Sequence, residues 1–130
     1  MIDEQAWLAA WGEPDYEAIR SFSADDLEVT AVLAALEPRR FAGPDAAVEW
    51  LTQLRGRLET SWTATQLTRL GDDALVIEGE LEFVSGAVTG PERQTYAVLM
   101  RLRGDKVRWI GTFVTFADAE EAFELGVGAE

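Results

Sequence analysis

Glu78, Glu80 and Glu82 alternate along one stretch of the chain, a spacing that sets three carboxylates side by side on one face of a strand. Carboxylates can serve as general acid and base, or orient a water molecule, when one of them is held protonated. Tyr96 carries a phenol able to donate a hydrogen bond to a ligand carbonyl, and Thr112 carries a hydroxyl. The Arg39-Arg40 pair suits a ligand carboxylate. The sequence contains no histidine and no cysteine. That removes the Ser-His-Asp and Cys-His nucleophiles, the two-histidine iron site, zinc–thiolate sites and disulfides. Any reaction must run on Asp, Glu, Tyr, Trp, Arg, Ser and Thr. These residues show no catalytic set, and neither a cofactor nor a metal is expected.

Each of these groups also has a plain structural use. Leu75, Ile77, Leu81 and Phe83 oppose the glutamates along the same strand, so the carboxylates fit a solvated face. Tyr96 fits a core position whose hydroxyl reaches solvent or a backbone carbonyl. Arg39-Arg40 fits an exposed loop, and Asp118 fits the cap of a last helix. Five tryptophans in 130 residues are many. Trp7, Trp11 and Trp50 fall on helical faces, where they line a pocket for a flat apolar ligand or simply fill a core. Both readings stay open at this point.

The elements that must position these residues change character along the chain. Helical signals come first: Glu4 to about Trp11, a second helix behind Pro14 bearing Tyr16, Ile19 and Phe22, and a third opened by Gly43-Pro44-Asp45 and running to about Leu58. Ser23 to Asp26 reads as a turn and Leu27 to Leu36 as a strand. From Thr60 the hydrophobic period becomes two. Strands are expected at Ser61 to Leu70, Ala74 to Val84, Arg93 to Arg103 and Val107 to Phe116, joined by Gly71-Asp72-Asp73, a loop from Gly86 to Pro91, and Gly104-Asp105. A short helix, Asp118 to Phe123, follows. Helices first and hairpin-linked strands afterwards mean a single α+β domain over residues 1–130, with helices on one face of an antiparallel sheet. The last two strands are apolar on both faces, so a loop or a second subunit must cover the outer one. A homodimer through the outer sheet face, anchored by Trp109 and Phe113, is the expectation.

Charge narrows the partners. There are 24 acidic residues against 11 basic ones, a net charge of −13. A nucleic-acid backbone needs a basic footprint, so no nucleic acid is expected. Anionic membranes would repel the chain, and no apolar run approaches the roughly 20 residues of a membrane helix. The opening residues Met1 to Gln5 are acidic, unlike a signal peptide, so a cytoplasmic protein is expected.

In order and spacing the chain resembles a SnoaL-like domain of the nuclear-transport-factor-2-like superfamily. The resemblance rests on Trp11-Gly12-Glu13-Pro14-Asp15-Tyr16-Glu17-Ala18-Ile19, then Phe22-Ser23-Ala24-Asp25-Asp26-Leu27-Glu28-Val29, and the Phe41-Ala42-Gly43 step into a helix. It continues through Val98 to Val107 and ends on the acidic helix from Phe116 to Phe123. It implies a cone: a strongly bent antiparallel sheet wrapped on the N-terminal helices around an apolar pocket. Relatives include ketosteroid isomerases, polyketide cyclases, dehydratases, epoxide hydrolases and non-catalytic binding or dimerisation domains, so the fold alone does not name an activity. The positions that carry ketosteroid isomerase chemistry are occupied here by Trp7 in place of the oxyanion tyrosine, Ala31 in place of the base and Val98 in place of the protonated acid. No Arg-x-Asp of the epoxide-hydrolase kind occurs, and the cyclase histidine has no counterpart.

The resulting expectation is a domain that holds a hydrophobic small molecule in an apolar cavity without the known catalytic set. The candidate ligand-binding residues are Trp7, Trp11, Trp50, Leu54, Tyr96, Val98, Ile110, Thr112 and Val114. The alternatives are an isomerase, cyclase or hydrolase of a polyketide, steroid or terpenoid-like substrate, using Tyr96 or one of the three glutamates, and a dimerisation domain with its cone filled. The segment from Asp26 to Gly43 is longer than in ketosteroid isomerases, and a slip of register there would bring Glu28 or Glu37 to the pocket.

Overall fold

A computed structural model describes residues 4–12, 15–31, 39–50, 59–84 and 91–129. Helix α1 (Glu4–Gly12) buries Trp7, Ala10 and Trp11, an apolar stripe at helical spacing. Helix α2 (Tyr16–Phe22) starts on Asp15, whose carboxylate accepts the Ala18 N–H at 3.1 Å. At its other end the Ser23 hydroxyl donates to the Ile19 carbonyl at 2.8 Å, and the Ser23 N–H bonds the Arg20 carbonyl. These two bonds satisfy the last turn of the helix, so the chain needs no separate turn. It passes directly into strand β1 (Ser23–Ala31), where the sequence led us to expect a turn over Ser23 to Asp26. Strand β2 (Arg39–Ala42) and the Gly43-Pro44-Asp45 turn lead into helical residues 46–50, here α3, which bury Ala46, Ala47 and Trp50. Pro14, the end of the strand expected to reach Leu36, and the helix expected beyond residue 50 lie outside the described residues.

Strands β3 (Glu59–Leu70), β4 (Ala74–Val84), β5 (Pro91–Arg103) and β6 (Lys106–Phe113) follow as a meander. The sheet order is β2-β1-β6-β5-β4-β3, bent and unclosed. The expectation of an antiparallel sheet holds for four pairings, but β1 and β6 run parallel. The reason is parity. The helical connection from β2 starts β3 in the direction of β2, as a crossover does. Three hairpin reversals then bring β6 back antiparallel to β2 and therefore parallel to β1.

The strand register shifts at three places. Thr65 is the extra residue between the pairs Ala64↔Gly79 and Gln66↔Glu78, and its hydroxyl donates to the Glu78 carbonyl at 3.2 Å. Arg108 is the extra residue between Arg101↔Trp109 and Leu102↔Val107. A third shift falls in β1 between Ser23 and Glu28. Such bulges bend a strand and strengthen its twist.

Two cores result, one on each face. The inner face presents Leu27, Val29, Ile77, Tyr96, Val98, Met100 and Ile110 to the three N-terminal helices. The outer face presents Ala74, Val76, Ala97 and Leu99 to helix α4 (Phe116–Glu124), which meets them with Ala119 and Ala122. The apolar outer strip that suggested a partner subunit is thus covered by the last helix of the same chain. Trp109, read from the sequence as a subunit anchor, is taken up by the chain's own tail. An added Cβ at Gly111 would fall 2.2 Å from the Trp109 Cη2 atom, and one at Gly128 (φ 74) 2.3 Å from Trp109 Cδ2. Only glycine allows the backbone to approach the indole from both sides.

Two buried arginines hold that tail. Arg101 donates from Nε to the Val127 carbonyl at 3.2 Å and from a terminal nitrogen to the carbonyls of Phe123 and Val127 at 3.2 and 3.0 Å. Its guanidinium lies 4.6 Å from the Phe123 ring centroid. Arg108, aimed outward by its bulge, donates to the Gly128 carbonyl at 2.7 Å. Cations at the C-terminal end of α4 suit the partial negative charge of its last carbonyls. Burial lowers the pKa of Arg101, with Asp73 opposing the shift and Arg108 adding to it. Among the described residues, no helix is long and apolar enough to cross a membrane.

Candidate functional site

The interior is built from aromatic side chains on three helices. Trp7 and Trp11 on α1 meet edge to face, with ring centroids 5.5 Å apart at 75°. Trp7 meets Phe22 of α2 at 5.1 Å, and Trp11 meets Trp50 of α3 at 5.9 Å. The two edge-on pairs made by Trp7 add about 0.5–1.5 kcal/mol each beyond the area they bury. Trp7 and Trp11 are fully buried, and Trp50 nearly so. The Trp7 indole N–H donates to the Met100 sulfur at 2.9 Å, tying α1 to the middle of β5. The one polar hydrogen of the Trp7 side chain is therefore spent on a core sulfur.

The facing sheet is sparse in polar groups. Tyr96 is buried opposite Gly79. Val98 is buried opposite Thr112, and Ile110 lies opposite Met100. Trp7, Trp11, Trp50, Tyr96, Val98 and Ile110 belong to one core cluster, and the buried polar side chains among the described residues are Ser23, Arg101, Arg108 and Thr112, none of them a carboxylate. Thr112 is buried at 5% exposure. Val114 stands apart from this interior, being 44% exposed and bordering a groove on the outer side of the sheet. Leu54 lies outside the described residues.

The described carboxylates considered for catalysis, Glu28, Glu78 and Glu80, lie elsewhere. Register puts Glu78 and Glu80 on the outer face, opposite Ala97 and Thr95, where Glu80 is exposed and Glu78 half-buried. Glu28 of β1 pairs with Ala42 and Trp109, beside the inner-facing Leu27 and Val29, so its side of the strand is the outer one. The side chains of Glu37, Arg39, Arg40 and Glu82 lie outside the described set. Asp118, expected to cap the last helix, sits in its first turn instead. Thr115 is the cap, its hydroxyl accepting the Asp118 N–H at 3.2 Å. The hydroxyl three residues upstream had the same capping capacity, and α4 starts two residues earlier than expected.

A polar cleft opens at the other end of the sheet, bordered by Arg20, Ser21, Asp26, Arg103 and Lys106, with a volume of about 640 Å³. Its cations are engaged within the chain. Arg103 forks onto Asp26 at 2.9 and 3.0 Å, Arg20 meets Asp45 at 2.8 Å, and Lys106 donates to the Ser21 carbonyl. The Arg103 hydrogen bonds hold the Asp26 carboxyl below the usual carboxylate range.

The outer groove was missed in the sequence. Its walls come from β6, with Thr30 of β1 beside it, and from α4 with its tail, which the chain brings together only after folding back across the sheet. Leu125 and Val127, apolar residues in a glycine-bearing tail, are the one signal that pointed there.

Known structures share this architecture. A hypothetical protein with a ketosteroid isomerase-like fold from Catenulispora acidiphila, in complex with trimethylamine, is 18% identical with a TM-score of 0.63; the match covers 92% of this chain and 91% of that one. TerC, co-crystallised with polyporic acid, is 19% identical with a TM-score of 0.65, covering 92% and 94%. A candidate SnoaL-like polyketide cyclase from Mesorhizobium loti is 10% identical with a TM-score of 0.67, covering 85% and 93%. At these identities the likeness is one of fold. None of the curated proteins matches the chain significantly. The SnoaL-like domain family matches over residues 5–110, the span from the first helix through the central strands to β6. With that match over most of its length, this chain belongs to the SnoaL-like domain family.

Proposed function

We propose that this SnoaL-like domain binds a hydrophobic small molecule inside the cone, against Trp7, Trp11, Trp50, Tyr96, Val98 and Ile110, and that it does so without the catalytic groups of its characterised relatives. The observation that carries this reading is the chemistry of the inner face. Two helices bring tryptophan there and α2 adds Ile19 and Phe22, and the strands answer with aliphatic side chains plus Tyr96 and Thr112. Such a surface suits a flat apolar ligand held by area and oriented by one or two hydrogen bonds. An acid–base mechanism would need a carboxyl on this face, and the described glutamates of β4 lie on the other. Bound trimethylamine and polyporic acid in two neighbours support the reading that this fold accommodates small molecules.

Native mass spectrometry of the freshly purified protein, paired with Val98→Trp, tests it. The expected result is a retained small molecule that the variant loses while keeping its fold, because the larger ring occupies ligand space. A filled cone gives the opposite: no retained molecule, and a variant destabilised by about 1–3 kcal/mol through overpacking.

A further inference from the structure

A groove of about 590 Å³ runs between α4 and the outer side of β6. Val114, Leu125 and Val127 are the large hydrophobic side chains that stand exposed among the described residues, and all three border this one groove. Single exposed apolar residues are ordinary, but a contiguous apolar strip is a mark of a binding surface. The volume falls in the range of small-molecule sites, about 300–1,000 Å³.

The polar groups of the groove decide what it suits. Asp118 and Glu121 stand three residues apart on α4, neighbours on the helix surface, and both are exposed at the groove. No basic side chain borders it among the described residues. The arginines that touch the tail, Arg101 and Arg108, are buried and donate to the carbonyls of Phe123, Val127 and Gly128.

From this pairing of an apolar strip with two carboxylates we propose that the groove binds an organic cation: an ammonium group carried on an apolar body. The body lies against Phe113, Val114, Leu125 and Val127, and the charge lies at Asp118 and Glu121. An anion would meet both carboxylates and a net charge of −13. A neutral apolar ligand would take water from the carboxylates and return nothing. A second copy docked symmetrically by the same patch would gather four carboxylates at one interface. Thr112 borders both the groove and the interior face, but the groove's apolar walls, Phe113, Val114, Leu125 and Val127, are separate from those of the interior site.

The test is a titration followed through backbone amide NMR, with phenethylammonium as the probe and neutral phenethyl alcohol and anionic phenylacetate beside it. We expect saturable shifts at Gly111, Val114, Leu125 and Val127 with phenethylammonium, and binding at least fivefold weaker for the other two probes. Asp118→Asn with Glu121→Gln should weaken the cation at least fivefold, whereas the charge-matched pair Glu17→Gln with Asp105→Asn should not. Leu125→Ser, at a side chain 75% exposed, leaves the fold in place and should weaken all apolar contact. Equal binding of alcohol and ammonium, equal loss in the control pair, shifts confined to other residues, or a dimer in sedimentation that Leu125→Ser dissolves would each overturn the proposal.

Discussion

Asp26 shows how a single exposed side chain is tuned in this protein. Two hydrogen bonds from Arg103, at 2.9 and 3.0 Å, favour its ionised form and lower its pKa. A depressed carboxyl pKa contributes stability above the ordinary aspartate value, and that contribution is lost as pH falls through the folded value. Both partners are half exposed or more, so solvent screens the pair and the contribution to stability is small. The titration itself is the sensitive readout. With Arg103→Ala the Asp26 carboxyl resonance should titrate at higher pH than in the parent, and an unchanged midpoint would show that Arg103 is not the cause. Other single residues were legible to different depths. The burial of Trp7, Trp11 and Trp50 follows from their helical spacing, but the Trp7–Met100 contact spans 93 residues of sequence, and no local pattern encodes it.

At the scale of elements, hydrophobic period and turn chemistry were strong guides. β4 occupies the expected residues Ala74–Val84, and Gly104-Asp105 forms the turn between β5 and β6. Boundaries moved where a side chain satisfied backbone groups in a way that periodicity does not record. Ser23 closes α2 and lets β1 begin at once, and Thr115 starts α4 ahead of Asp118. The second case gives a direct comparison. Thr115→Ala should cost about 1 kcal/mol in chemical denaturation, Thr115→Ser should restore most of it, and Asp118→Ala should cost less than Thr115→Ala. A larger loss from Asp118→Ala would return the capping role to that residue. The parallel β1–β6 pairing escaped the reading because it depends on the direction in which the β2–β3 connection returns, which local pattern does not contain.

For the whole molecule, the dominant electrostatic fact is a net charge of −13 over 130 residues. Compaction brings like charges together, and salt screens them: the Debye length falls from about 30 Å at 0.01 M to about 3 Å at 1 M. The Tm should therefore rise between about 10 mM and about 500 mM NaCl, conditions chosen to span that screening. A Tm that falls over the same range would mean that pairs such as Arg20–Asp45 and Arg69–Glu4 outweigh the overall repulsion. By itself the sequence determined the α+β class, the family, most strand positions and the absence of histidine and cysteine chemistry, because these depend on residue identity and short-range spacing. It also determined that the outer sheet face needed a cover, since its strands are apolar on both sides. Only the tertiary structure decided what that cover is: α4, docked through alanines, with its tail held by two buried arginines and two glycines against Trp109. The same docking created the outer groove, whose walls lie far apart in the chain. Contacts between distant segments depend on the path of the backbone, and the period of a sequence is blind to that path.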